Sequence, residues 1–295
     1  MERIVGECYA MPELPEVEVT RRGLLPHLPG RAVLAALWSG KRLRLPVPLT
    51  LLEQCICGSQ ISTVDRRAKY LLIRMNNASV LVLHLGMTGK LGMFPKVTER
   101  VTHDHLCLEL DSGAELRFND ARRFGSVMVW SGEEAERLEQ DFSRSQGIEP
   151  FGPDFTAAHL VQLAGQRKQA VKSLLMDSKL IAGVGNIYAN ETLFAAGVHP
   201  QAPAGSLSAE QWQRVVDCCR EILSRAIEAG GSTVSDFLGA NGQPGWFQLQ
   251  LAVYGRKDQP CLQCGQAICK EVIGGRASFF CPRCQPMPAA RSVER

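Results

Sequence analysis

The chain has 295 residues, 45% of them hydrophobic and 21% charged, with a net charge of +3. That length suits two domains and that balance suits a folded chain, while no apolar run is long enough to span a bilayer. Residues 1–10 lack a signal peptide's apolar core and cleavage pattern, so the expected compartment is the cytoplasm and the eleven cysteines read as thiols or metal ligands, not disulfides.

In chain order, the first feature is Met11-Pro12-Glu13-Leu14-Pro15-Glu16-Val17-Glu18. If translation began at Met11 and that residue were removed, Pro12 would carry a free secondary amine with a pKa of ~8. Such an amine attacks carbonyl-like carbons and forms an iminium, and Glu13 beside it is a candidate general acid. Met1 to Ala10 oppose this, because with them attached Pro12 is a tertiary amide. Pro15 to Leu25 predicts an amphipathic helix with proline in its first turn. Strands are predicted at Leu71–Met75, Ser79–Leu85, Leu106–Leu110, Glu115–Phe118 and Ser126–Trp130. Asn76-Asn77, Gly86 to Gly92, Asp111-Ser112-Gly113 and Asn119 to Arg123 separate them as turns, which suggests a β-sandwich or barrel. Gly147 to Asp154, rich in Gly and Pro, is the predicted linker.

Beyond it the apolar period becomes helical in Thr156–Ala164, Lys168–Asp177, Asn186–Ala196 and Ser208–Ala229. Ser208 with Gln211 forms a candidate capping box, and Gly230-Gly231 ends the last helix. A Gly/Pro-rich loop from Gly239 to Gly245 leads to the cysteines.

Cys261-x-x-Cys264 and Cys281-x-x-Cys284, sixteen residues apart, have the spacing of four thiolates on one tetrahedral Zn²⁺ with a hairpin between them. Four thiolates saturate the ion, so the expected zinc is structural, and Cys269 reads as a bystander. Gly274 to Ser278 is the predicted hairpin tip, with Arg276 projecting either into solvent or onto a phosphate. Gly183-Val184-Gly185 before Asn186 reads either as a phosphate cradle at a helix start or as a ligand-free corner. Asp120-Ala121-Arg122-Arg123-Phe124-Gly125 presents an arginine and an aromatic ring from one turn, and Met87 sits in another. Singly, Met87 and Phe124 read more readily as core residues than as wedges into a base stack. Residues 253–295 carry a net +4 and leave the remainder near −1, so a basic module suited to a polyanion is attached to a near-neutral body.

Together these segments resemble the formamidopyrimidine-DNA glycosylase family, the bacterial-type 8-oxoguanine repair enzymes. The resemblance runs from Met11 to Gln285 and rests on Met11 to Glu18, Arg66-Arg67-Ala68-Lys69-Tyr70, His84 to Gly89, Ala121 to Gly125, Leu175-Met176-Asp177, Gly183 to Ala189, Val253 to Lys257 and the four cysteines. It implies an α+β fold. Its parts are an N-terminal catalytic β-sandwich with a flanking helix over 11–147, a linker over 148–155, a helix–two-turn–helix domain over 156–252, a zinc finger over 253–285 and a tail over 286–295.

The resemblance also implies base-excision repair of damaged double-stranded DNA by a glycosylase and AP lyase, acting as a monomer near the nucleoid. It makes Pro12 the nucleophile at C1′, Glu13 the proton donor and Glu16 its support. It makes Lys69 the lysine of β-elimination and Arg276 the finger arginine of δ-elimination, with His84, His103, Arg167 and Asn186 as DNA contacts. Met87, Arg122 and Phe124 become the side chains that fill the void left by an extruded nucleotide, and Gly231 to Trp246 the loop over the lesion. Leu14 and the Arg122/Phe124 pair favour the purine-specific enzyme over the related endonuclease VIII type, which prefers oxidised pyrimidines. Two departures stand out: Ala121 replaces the proline usual in this turn, and residues 1–10 precede Met11. If they stay attached, the alternative is a catalytically silent, zinc-dependent binder of damaged DNA.

Overall fold

The computed structural model describes residues 12–230 and 251–288. The extension 1–10, the segment Gly231 to Trp246 and residues 289–295 of the tail lie outside the described residues. The chain forms two compact units, one of 12–144 with 226–230 and one of 145–225 with 251–288.

Unit one begins with helix α1 (Leu14–Leu24), which starts where the sequence supplies both a first-turn proline and a cap. Glu13 is the N-cap, and its N–H donates to the Glu16 carboxylate at 2.9 Å in a reciprocal capping box. Two four-stranded antiparallel sheets follow. One has the order β1-β6-β7-β5, built from β1 (Val33–Trp38), β5 (Gly89–Pro95), β6 (Asp104–Leu110) and β7 (Ala114–Asp120). The other has the order β2-β3-β4-β8, built from β2 (Ile61–Arg67), β3 (Tyr70–Met75), β4 (Val80–His84) and β8 (Ser126–Trp130). Between β1 and β2, a single helical turn α2 (Leu49–Leu51) runs into a π-helical turn, Leu52–Ile56.

Alternate residues of both sheets meet in one core. Leu106, Leu108, Leu116 and Phe118 come from the first sheet, Leu71, Ile73, Leu81, Leu83 and Val127 from the second, and Val17 and Leu24 from α1. The second sheet is covered on its other face as well, where Leu72, Val80, Val82 and Trp130 meet Ala135, Leu138 and Phe142 of α3 (Ala135–Ser145). Burial on both faces accounts for the unbroken apolar runs of β3 and β4.

The predicted strands are all present, but the segment Gly86 to Gly92, read as a turn, is not one throughout. β5 begins at Gly89 and passes through Gly92. Gly89 belongs to the strand because the backbone there passes so close to its neighbour that a Cβ would sit 2.1 Å from the Leu85 carbonyl oxygen.

Unit two contains α4 (Ala157–Ala164), α5 (Val171–Leu175), α6 (Asn186–Ala195), α7 (Ala209–Glu228) and a hairpin of β9 (Cys269–Ile273) and β10 (Arg276–Phe280). The α7 capping box is formed: Ser208 N–H donates to Gln211 Oε1 at 2.9 Å, and Gln211 N–H to Ser208 Oγ at 3.3 Å. The helix predicted over Lys168–Asp177 is shorter, because the backbone before Val171 pairs elsewhere: Val171 N–H donates to the Ala202 carbonyl and Ala204 N–H to that of Gln169. Gly147 and Ile148 donate to the carbonyls of Ser178 and Leu180. Among the described residues no helix is long and apolar enough to cross a membrane.

Along α7, Trp212, Val215, Val216, Cys219 and Leu223 form a stripe at helical spacing, each 0–1% exposed. Trp212→Ala is expected to lower unfolding stability by about 3–5 kcal/mol, the cost of an unfilled aromatic cavity, measured by urea denaturation.

Candidate nucleic-acid interface and metal centre

In unit two the four sulfurs of Cys261, Cys264, Cys281 and Cys284 all lie within 4.8 Å of one another. The Cys261–Cys284 and Cys264–Cys281 separations are 3.9 and 3.5 Å. Four thiolates around one zinc at ~2.3 Å stand ~3.8 Å apart at the corners of a tetrahedron, so the residues fit the ion. Backbone N–H groups of Gln263 and Cys284 point at Cys261 and Cys281 sulfur, both at 3.4 Å, which favours the thiolate form. This is a structural zinc site with no ligand position left open. Cys269, at the start of β9, is not part of it.

The hairpin between the pairs has a tighter tip than the five residues Gly274 to Ser278. Only Gly274 and Gly275 turn, with φ of +58° and +73°, and Arg276 already pairs with Ile273 as the first residue of β10. Ser278 is wholly buried because Lys172 of α5, itself wholly buried, donates to its hydroxyl at 2.6 Å and to the Ala277 carbonyl at 2.8 Å. Arg276 is left exposed beside the turn.

Two side chains of α6 hold the same module. Asn190 Oδ1 accepts from Phe279 N–H at 2.7 Å, and the Glu191 carboxylate accepts from the N–H groups of Ala252, Val253 and Tyr254 at 2.8–3.0 Å. Lys172, Asn190 and Glu191 have no motif spacing, and sequence reasoning missed them. The available signal was polar residues on otherwise apolar helix faces. Asn186 is the first residue of α6, half-buried, with Gly185 as N-cap and Gly183 at φ +80°. Arg167 follows α4, is exposed, and donates to the Leu163 carbonyl at 2.9 Å.

In unit one, Pro12 is half-buried and Glu13 and Glu16 are buried at the start of α1. That helix lies against β2, β3 and β5. Lys69 occupies the two-residue turn between β2 and β3, after Ala68 at φ +53°. The two places are linked by Glu18, another residue sequence reasoning missed. Its carboxylate accepts from Arg21 at 2.8 Å, Arg22 at 2.9 Å and Arg66 at 3.2 Å, and Arg66 also donates to the Ala68 carbonyl at 2.9 Å. Burial works against the Glu18 charge, but the hydrogen bonds from Arg21 and Arg22 and the charges of Arg21 and Arg66 outweigh it and hold its pKa at about 2.

His84 ends β4 with its ring 4.6 Å from that of Tyr70 and accepts from Gly86 N–H at 3.1 Å. Burial, and then the cations Lys69 and Arg44, push its pKa from 6.5 down to about 4, with Asp120 opposing. His84 is therefore neutral at pH 7. His103, at φ +76°, is exposed just before β6.

Met87 and the Arg122–Phe124 turn come together. Gly86 lies so close to the second turn that a Cβ there would sit 2.4 Å from Gly125 nitrogen and from the Phe124 carbonyl carbon. Its φ of +69° also requires glycine. Phe124 is 45% exposed, with the Arg122 guanidinium stacked 4.8 Å from its ring centroid.

Comparison with known proteins agrees with this arrangement. The formamidopyrimidine-DNA glycosylase N-terminal domain matches residues 11–127, the formamidopyrimidine-DNA glycosylase H2TH domain residues 146–238, and the zinc finger found in FPG and IleRS residues 258–286. A formamidopyrimidine-DNA glycosylase of Syntrophotalea carbinolica is 46% identical over 275 residues, covering 93% of this chain and all of the relative. This chain belongs to the formamidopyrimidine-DNA glycosylase family.

Solved structures agree. The wild-type Lactococcus lactis family member bound to N7-benzyl-Fapy-dG DNA superposes with a TM-score of 0.84 at 32% identity, covering 93% of this chain and 100% of that one. The Lactococcus lactis protein bound to abasic-site DNA gives 0.83 at 30% identity, covering 93% and 99%.

Two measurements check this site in the formamidopyrimidine-DNA glycosylase framework. Chelation is expected to release one zinc per chain, read by atomic absorption, and to abolish amide-exchange protection at Phe279 and Phe280. Because His84 titrates at 6.5 when unfolded and about 4 when folded, the stability it contributes is complete above pH 6.5 and is lost as pH falls toward 4. Urea denaturation at pH 7 and pH 5 is expected to show a smaller pH-dependent loss in His84→Gln than in the unaltered protein.

Proposed function

We propose that this chain excises oxidised purines from duplex DNA and nicks the strand by β,δ-elimination, with the Pro12 nitrogen as nucleophile. The observation that carries the reading is the Glu18–Arg66 link between the helix bearing Pro12 and Glu13 and the turn bearing Lys69. The nitrogen attacks C1′, the damaged base leaves, and opening of the sugar ring gives an iminium; loss of the C2′ proton then expels the 3′ phosphate, and loss of the C4′ proton from the conjugated iminium expels the 5′ phosphate. Glu13 supplies the proton that opens the sugar ring, and Glu16 fixes Glu13 through its backbone N–H. The positive end of α1 lies beside Pro12 and disfavours the protonated amine.

Lys69 serves β-elimination and Arg276 δ-elimination, while His84, His103, Arg167 and Asn186 contact the DNA backbone. A neutral His84 approaches a phosphate as a hydrogen-bond donor and not as a cation. Met87, Arg122 and Phe124 fill the space of the extruded nucleotide. The protein acts as a monomer on nucleoid DNA.

The chemistry requires that nothing be attached to the Pro12 nitrogen, so the active form begins at Pro12. Chains beginning at Met1 and at Pro12 separate the possibilities in a borohydride trap on 8-oxoguanine duplex. The chain starting at Pro12 is expected to give a covalent adduct, and the chain retaining residues 1–11 to bind without one. An adduct of equal yield from the longer chain, with its intact mass unchanged before the reaction, would refute Pro12 as nucleophile. Faster cleavage of a thymine-glycol duplex than of an 8-oxoguanine duplex would refute purine specificity.

A further inference from the structure

We propose that Asp120 is a positioning residue that sets the void-filling side chains, and so governs nucleotide extrusion without taking part in the chemistry. The inference rests on the assignment of Met87, Arg122 and Phe124 above. It goes beyond that assignment by naming what holds them.

Asp120 is the last residue of β7 and is wholly buried. Every polar group it owns is hydrogen-bonded. Oδ1 accepts from the Thr88 hydroxyl at 2.5 Å and from Arg122 N–H at 3.3 Å. Oδ2 accepts from Gly125 N–H at 2.8 Å. Its own N–H donates to the His103 carbonyl at 3.1 Å, and its carbonyl meets His105 Nε2 at 3.0 Å. One residue therefore ties the turn after Met87, both ends of the Arg122–Phe124 turn, and the backbone of His103.

The clip is doubled on one side, since Thr88 Oγ also accepts from Arg122 N–H at 3.1 Å. A buried carboxylate held by neutral donors is costly against an apolar residue of the same size. Two acceptor oxygens with about four lone-pair sites are what the geometry uses, because a single hydroxyl or amide oxygen cannot serve Thr88 and Gly125 together. Ala121 has no ring to fix its φ, so the turn's shape depends on these bonds.

Holding Arg122 and Phe124 in place matters only where there is a base stack to enter. A single-stranded abasic site needs no extrusion and leaves no void. The two substrates therefore separate positioning from a general loss of structure.

The experiment uses the chain beginning at Pro12 and compares Asp120→Asn with the unaltered protein. Asparagine keeps one acceptor and must set an N–H₂ group either against Gly125 N–H or against the Thr88 and Arg122 donors. Single-turnover excision of 8-oxoguanine from duplex is expected to fall at least tenfold. Borohydride trapping on a single-stranded abasic oligonucleotide is expected to stay within twofold. The stopped-flow fluorescence rise of a 2-aminopurine beside the lesion should slow by the same factor as excision. Thr88→Val, which leaves the carboxylate in place, should show the same split at about threefold, and it carries the test if Asp120→Asn does not fold. Equal loss on both substrates, or no loss on duplex in either variant, would overturn the inference. The adduct of the unaltered protein tests the proposed function separately, so a normal adduct with no substrate split counts against Asp120 alone.

Discussion

The Glu18 carboxylate is the junction on which unit one depends. It sits about half a turn beyond Glu16 on the same helix and shares its two oxygens among three arginines. Arg22 braces α1 internally, Arg21 also donates to the Val64 carbonyl of β2 at 3.3 Å, and Arg66 reaches in from β2 while donating to the Ala68 carbonyl as well. The attraction is strong because the group is largely shielded from water, and multiple donors offset the cost of that shielding. Through Arg66 the carboxylate joins α1 to the β2–β3 turn by a rigid guanidinium fork.

Unit two solves a related problem with different chemistry. A two-stranded hairpin of five-residue strands cannot bury enough apolar surface to order itself. Zinc closes its open end, but a metal fixes only the residues around it. The direction in which Arg276 points is set by Lys172, Asn190 and Glu191, which reach from α5 and α6 to the hairpin backbone and to its entry segment. The buried lysine and glutamate both meet backbone groups and not each other, so each also satisfies a peptide group that would otherwise be unpaired.

How much of this was legible in the sequence varied with the kind of signal. Apolar runs identified β3, β4, β6, β7 and β8, since strands buried on a face must be apolar there. β1 and β2 escaped for different reasons: Val33–Trp38 holds two alanines, a residue depleted in strands, and Ile61–Arg67 carries charges paired across space with Glu18 and Arg74. β5 was hidden by Gly89 and Gly92, whose absent side chains answer to close neighbours and not to a bend. The zinc ligands were legible because a metal imposes spacing. Pro12, Arg122 and Arg276 drew notice from their own chemistry, Lys69 through motif resemblance, and the structure adds the residues packed around them. Glu18, Glu191 and Lys172 were invisible because a buried charge reveals itself only when its partners, up to about a hundred residues away, are brought beside it.

Of the five non-glycine residues with left-handed backbone among the described residues, Ala68, His103 and Arg123 have φ of +53°, +76° and +59°. Each flanks or is a group proposed to act on DNA, and each conformation is one that an L-residue leaves when unrestrained, at a cost of roughly 1–2 kcal/mol. Folding settles that cost once for the life of the molecule. A protein searching for one damaged base meets a very large number of intact pairs. Loops that had to be ordered at each encounter would make every inspection slow and thermodynamically uphill. Loops already locked in an unfavoured shape arrive at each base pair at no further entropic cost, so the time spent on an intact pair depends on the DNA's resistance to opening and not on the protein's own rearrangement.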